Sequence, residues 1–260
     1  MSVDLDVANV TVRFGGIVAV NDATLLAKGG QITGLIGPNG AGKTTFFNAC
    51  TGRNHPQSGT VRLGGQDLHG HRSSNRAHHG LGRTFQRMEL FESLPVLENV
   101  RTGPAAFYSS SRPLGLIYSN RKESKQIRVR ADEALEHCNI SHLRNKIVGD
   151  LSTGQRRLVE LARAIATPFK FLLLDEPSSG LDVHETHAFG KVLTDWVNET
   201  GFGILIVEHD MALVSEICAQ IYVLDFGKII YQGQTQDALR SDVVKAAYLG
   251  ESTVGEVSVA

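Results

Sequence analysis

The chain has 260 residues, 42% of them hydrophobic, and a net charge of −1. That is enough apolar material for a sizeable core, and the near-neutral balance excludes a nucleic-acid partner held by bulk charge. The three cysteines (Cys50, Cys138, Cys218) lack metal-ligand spacing, the start Met1 to Asp6 lacks the basic and apolar regions of a signal peptide, and no apolar run approaches the ~20 residues of a membrane helix, so a reduced, soluble cytoplasmic protein is expected.

In chain order, residues 5 to 36 alternate apolar and polar side chains around turns at Gly15-Gly16 and Lys28-Gly29-Gly30. This pattern predicts two or three antiparallel strands feeding a buried strand over Ile32 to Ile36. A helix follows from Thr45, then a strand and turn over 58–65, a short helix near 75–79 and a strand over 81–85. From 87 to 149 strand signals nearly vanish. Helical stretches at 96–101 and 124–138 flank Gly103 to Asn120, which is rich in Ser, Pro and Gly and reads as an irregular insertion. From Leu151 the α/β rhythm returns: a helix to Ala166, a strand over 171–174, a helix near 185–199, a strand over 204–207 and a helix to Cys218. A hairpin over 220–231 turning at Phe226-Gly227-Lys228 and two short helices complete the chain. The expected organisation is an α/β core (1–86 and 150–251) with an antiparallel β part, a helical subdomain (87–149) and a mobile tail (252–260).

The strand Ile32 to Ile36 runs into Gly37-Pro38-Asn39-Gly40-Ala41-Gly42-Lys43-Thr44-Thr45, which opens a helix. Strand, glycine-rich loop and helix with Lys-Thr at its start is the context of a phosphate-binding loop. The glycines let successive N–H groups turn around an anion, and the helix dipole adds to that nest. Lys43 can reach the β- and γ-phosphates, and the Thr44 hydroxyl can ligate Mg²⁺. A glycine-rich turn could match by accident, but a chain of this length and composition gives one such match in roughly a hundred.

Phe171 to Leu174 is an apolar strand ending in Asp175-Glu176. Acids at the C-terminal end of a parallel strand lie where such sheets bind ligands. Asp175 can hold Mg²⁺ opposite Thr44, and Glu176, pointing elsewhere, can polarise an attacking water. Leu151-Ser152-Thr153-Gly154-Gln155 opens a helix with Ser152 as N-cap. By itself that is ordinary capping, though a helix start can also address a phosphate.

Gly37 to Thr44, Leu151 to Gln155, Phe171 to Glu176 and Glu208-His209-Asp210, in this order, resemble the ATP-binding subunits of ABC transporters. The resemblance runs from Phe14 to Gly250. It implies a P-loop NTPase core with a mostly parallel sheet and flanking helices, and ATP and Mg²⁺ bound by the loop Gly37, Pro38, Asn39, Gly40, Ala41, Gly42, Lys43, Thr44 and Thr45. It further implies that Phe14 stacks on adenine, that Gln86 senses Mg²⁺ and the membrane partner, and that His209 binds the γ-phosphate. Ser152 and Gly154 would contact the γ-phosphate held by a second ATPase subunit facing head to tail, and Asp182 would connect the two sites. Such a subunit would sit on the inner face of the cell membrane through transmembrane permease subunits. Core or loop roles remain open for Phe14, Gln86 and His209. Thr153 stands where the family usually has Gly, and Gly180 where Ala is commoner.

Arg13 to Gly16, Gly82-Arg83-Thr84-Phe85-Gln86, Gly154 to Leu158 and Ala247 to Glu251 are similar to branched-chain amino acid importer ATPases. Related subunits serve urea, amides and lipopolysaccharide export, and a soluble ATPase without a permease is the other alternative. The basic run Arg121 to Arg130 reads as a solvated helix face. A small GTPase is disfavoured because Asn145-Lys146-Ile147-Val148 lacks the acid that recognises guanine.

Overall fold

The computed structural model describes residues 2–84, 89–110, 121–238 and 240–252, with 248–252 as backbone only. Its strands are β1 (Leu5–Phe14), β2 (Ile17–Ala27), β3 (Ile32–Ile36), β4 (Ser58–Leu63), β5 (Gln66–Asp67), β6 (Leu81–Arg83), β7 (Phe171–Asp175), β8 (Gly203–Val207), β9 (Gln220–Asp225) and β10 (Lys228–Gly233). Its helices are α1 (Lys43–Cys50), α2 (Ser73–His79), α3 (Val96–Ser109), α4 (Arg121–His137), α5 (Thr153–Ala166), α6 (Val183–Thr200), α7 (Met211–Ile217), α8 (Thr235–Ala238) and α9 (Asp242–Ser252).

The strands form two sheets, an antiparallel one in the order β2-β1-β4-β5 and a six-stranded one in the order β10-β9-β3-β8-β7-β6. The larger is parallel apart from the edge strand β10. Its central strands β3, β7 and β8 are buried throughout and largely apolar because both faces are covered, and their side chains alternate between two cores. In β7, Leu172 and Leu174 join one cluster with helices α3 to α7, while Phe171 and Leu173 join the other with α1 and the antiparallel sheet. Ile204/Ile206 and Leu205/Val207 of β8 divide in the same way. Tyr222 of β9 ties the two sheets: its hydroxyl accepts from Leu26 N (3.1 Å) and donates to Leu26 O (3.2 Å).

The short helix α1 has its C-terminal carbonyls closed by a distant side chain. Arg76, 1% exposed, donates from Nη1 to Ala49 O (2.9 Å) and Cys50 O (2.7 Å), and from Nε to His71 O. Hydrogen bonds to a charged group contribute about 1.5–3 kcal/mol, and a cation is favoured at that end of a helix.

The middle third is helical, but Gly103 and Pro104 are not part of an irregular insertion. They lie inside α3, which continues to Ser109. Packing against α5 overrides the local helix breakers: a Cβ on Gly103 would stand 2.5 Å from Thr167 Oγ1, so only glycine permits this approach of the two helices. The remainder of the expected insertion, 111–120, lies outside the described residues, as do Gln86, Met88 and the expected tail beyond Ser252. Ser252 itself ends α9. The three cysteines are free and buried.

Candidate active site

Strand register brings the expected site residues to one edge of the large sheet. Leu35 of β3 and Asp175 of β7 are both partnered by Val207 of β8, so the three stand in one row across the sheet. Just beyond it come Gly37, Glu176 and Glu208-His209. Two strand spacings of ~4.8 Å separate the loop strand from the acidic strand, about the span of a phosphate chain and its cation.

The loop 37–42 is pinned from two sides. A Cβ on Gly37 (φ 150°) would lie 2.0 Å from Leu224 O, and one on Gly42 (φ 107°) 2.4 Å from Ala19 O. Gly227 N donates to Ala41 O at 2.9 Å, which docks the β9–β10 turn on the loop. Within it, Lys43 is 8% exposed and its Nζ donates to Gly37 O (2.6 Å) and Pro38 O (2.9 Å). The ammonium therefore rests on the rim of its own nest, where an arriving phosphate offers it stronger acceptors. Thr44 and Thr45 follow in the first turn of α1.

Asp175 closes β7 at 6% exposure, and its Oδ2 accepts from Arg83 Nη2 at 2.6 Å. Glu176 departs from the strand line: its φ is 47°, its N–H donates to Val207 O (2.9 Å), and its carbonyl accepts from Ser179 N (3.1 Å). A non-glycine residue held there costs on the order of 1–3 kcal/mol, a strain often found at functional positions. The hard oxygen donors Thr44 and Asp175 suit Mg²⁺, which is usually held by one or two protein oxygens together with substrate phosphates. No group of three or more His, Cys, Asp or Glu able to hold a metal occurs among the described residues.

His209 is exposed rather than a core histidine, and Phe14, 51% exposed at the end of β1, is not a core aromatic either. Ser152 caps α5 in a reciprocal box: its Oγ accepts from Gln155 N and its N–H donates to Gln155 Oε1, both at 3.2 Å. Asp182 caps α6 in the same manner with Glu185. The two caps meet, since a Cβ on Gly154 would stand 2.4 Å from Glu185 Oε1. Gln86 lies outside the described residues.

Three polar residues of this region, two of them inside quoted motifs, have no role assigned from the sequence. Arg83 forms the ion pair with Asp175. Asn99, fully buried, accepts from Phe91 N (2.8 Å) and donates to Phe91 O (3.0 Å), clamping the backbone that carries an exposed aromatic ring. Glu208 is fully buried, and its Oε1 accepts from Ser178 N at 2.9 Å, locking the turn after Glu176 to the end of β8. A charged residue directly after an apolar strand was the available signal for Glu208; Asn99 and Arg83 left none without their neighbours.

Burial pushes the Glu208 carboxyl above its ordinary value of 4.5, against the opposing hydrogen bonds from Ser178. The folded chain then holds this proton more tightly than the unfolded chain, so stability is lost as pH rises from 4.5 through the raised value. Glu208→Gln keeps an acceptor for Ser178 and removes the titration. Its melting temperature relative to the parent should be higher at about pH 8 than at about pH 5. A difference independent of pH in paired melts would contradict the assignment.

A family model described as ABC transporter matches residues 20–179. The high-affinity branched-chain amino acid transport ATP-binding protein BraF of Pseudomonas aeruginosa is 36% identical over 252 residues, covering 95% of this chain and 98% of that protein. The lipopolysaccharide export system ATP-binding protein LptB of Haemophilus influenzae is 35% identical over 249 residues, covering 95% and 97%. Among solved structures, the ADP conformation of MJ1267, an ATP-binding cassette of an ABC transporter, superposes with a TM-score of 0.83 at 30% identity, covering 96% of this chain and 99% of that one. The dimeric structure of MJ0796, a bacterial ABC transporter cassette, gives 0.71 at 25% identity, covering 89% and 98%.

Proposed function

We infer that this chain, which belongs to the ABC transporter family, is the ATP-hydrolysing subunit of an importer for branched-chain amino acids or related small polar or amide solutes. The ATPase assignment is carried by the pinned loop 37–42, which begins just beyond the row Leu35–Val207–Asp175 at the edge that also carries Glu176. The cargo reading rests on BraF and on the Gly82 to Gln86 and Ala247 to Glu251 motifs.

In this reading adenine stacks on the exposed Phe14, and the loop N–H groups take the phosphate oxygens. Lys43 exchanges its two carbonyl acceptors for the β- and γ-phosphates. Thr44 and Asp175 would hold Mg²⁺, with Gln86 as a further ligand. When bound there, the ion would supply positive charge that offsets the charge of the phosphates. Glu176 takes a proton from water as its oxygen attacks the γ-phosphorus and the bond to the β-bridging oxygen breaks, with His209 on the γ-phosphate.

Ser152 and Gly154 would complete the site of a second subunit facing head to tail, with Asp182 linking the two sites. The dimeric MJ0796 cassette supports this pairing. Because the γ-phosphate would join both subunits, slowing its hydrolysis should hold them together. Glu176→Gln should reduce turnover by about 10²–10⁴-fold, the usual contribution of such a base, or by more. In size-exclusion chromatography with light scattering, it should form a dimer with ATP that Ser152→Arg abolishes. A monomer under every condition, with or without a paralogous ATPase subunit, would overturn the sandwich.

The permease would dock in the groove between α3, α5 and the segment after residue 88. This cavity of about 510 Å³ is lined in part by Phe91, Ala106, Phe107 and Arg163. Phe91 is 54% exposed on a backbone clamped by Asn99 and offers a rigid apolar anchor of the kind that dominates interfaces. Cells lacking this chain should lose uptake of labelled leucine. Re-expression of Leu90→Glu with Phe91→Glu should fail to restore it, although circular dichroism shows a folded chain. Undiminished uptake without the chain would overturn the cargo, and restoration by the double variant would overturn the groove.

A further inference from the structure

Arg83 ends β6, and β6 lies beside β7 with Arg83 opposite Leu173. From there its guanidinium reaches forward to the end of the neighbouring strand. Nη2 donates to Asp175 Oδ2 at 2.6 Å and Nη1 to Asn48 Oδ1 at 2.6 Å, while Cζ stands 5.5 Å from the Phe47 ring centroid. The side chains of the ion pair are 7% and 8% exposed. One planar fork thus joins three elements: the strand that leads toward Gln86, the strand that carries Asp175, and the helix that begins with Lys43 and Thr44.

A buried ion pair has a second consequence at a metal site. Away from bulk water, charges act on each other more strongly than at an exposed surface. With Arg83 on one of its oxygens, the Asp175 carboxylate is already neutralised, and the buried ammonium of Lys43 adds further positive charge. A divalent cation arriving alone meets a pair without net charge and an ammonium. A cation arriving with a triphosphate brings its own negative charge and gives Lys43 a partner.

We propose that Arg83 makes metal binding at Asp175 conditional on nucleotide: its guanidinium orients the carboxylate and cancels its charge, so the site takes a divalent cation only together with the phosphates. Arg83 is a positioning residue, acting through Asp175. The proposal rests on the reading of Asp175 as a metal ligand. Linkage makes the coupling reciprocal, so the factor by which nucleotide raises metal affinity is the factor by which metal raises nucleotide affinity.

The test is titration of Mn²⁺ into the full chain without nucleotide, with free ion followed by electron paramagnetic resonance. The parent and Arg83→Lys, which keep the charge, should bind weakly. Arg83→Gln, which keeps a donor but not the charge, should bind more tightly by a factor within the usual coupling range of about 5–150. Arg83→Gln combined with Asp175→Asn should lose the gain. If Arg83→Gln is unstable, Mn²⁺ alone should raise its melting temperature and leave that of the parent unchanged; no such difference would overturn the proposal. Arg83→Gln binding as weakly as the parent, or Arg83→Lys binding as tightly as Arg83→Gln, would overturn it while leaving Asp175 as a ligand. A gain that persists in the double variant would put the ion elsewhere and remove the metal reading of Asp175 as well.

Discussion

The contact on which the site depends is the close approach of the loop 37–42 to two neighbouring backbones. Gly37 lies against Leu224 O and Gly42 against Ala19 O, at distances that leave no room for a Cβ. The first contact comes from β9 of the large sheet and the second from β2 of the antiparallel sheet. The loop is therefore wedged between the two layers, and its shape is set by tertiary packing before any phosphate arrives. Preorganisation of this kind makes backbone N–H groups effective anion ligands, because little ordering remains to be done on binding. The same wedge places Lys43 with its ammonium on the carbonyls of Gly37 and Pro38.

Around that loop the structure buries ionisable side chains against specific partners. Arg76 closes α1, Arg83 holds Asp175, and Glu208 holds the turn after Glu176. Each fixes an element that carries a candidate catalytic group while standing outside the chemistry. Of the three, Arg83 and Asp175 form an ion pair, and removing one partner of such a pair leaves the other uncompensated, which costs about 3–5 kcal/mol. The arrangement braces the edge of the sheet that carries Asp175 and Glu176.

What the sequence displayed was local. The strand Ile32–Ile36, the loop and α1 are contiguous, and the boundaries of β3 were legible to the residue because Gly30 and Gly37 bracket an apolar run. Ser152 was readable as an N-cap because Gln155 follows at the spacing of a capping box. The helical course of Gly103 and Pro104 was not readable, since it follows from contact with α5 about sixty residues later in the chain. Arg83 was noticed only as part of a motif. Its meaning depends on β6 being the neighbour of β7, which nothing in either strand announces. Buried polar partners belong to the topology, and a single sequence does not display topology.

The claim that a preformed loop with Lys43 at its rim binds the triphosphate is tested most directly by isothermal titration of ATP. Lys43→Ala removes the ammonium and leaves the wedge of Gly37 and Gly42 in place. The account predicts that the variant keeps the fold, binds ATP much more weakly than the parent and does not hydrolyse it. ATP affinity and turnover equal to those of the parent would contradict it.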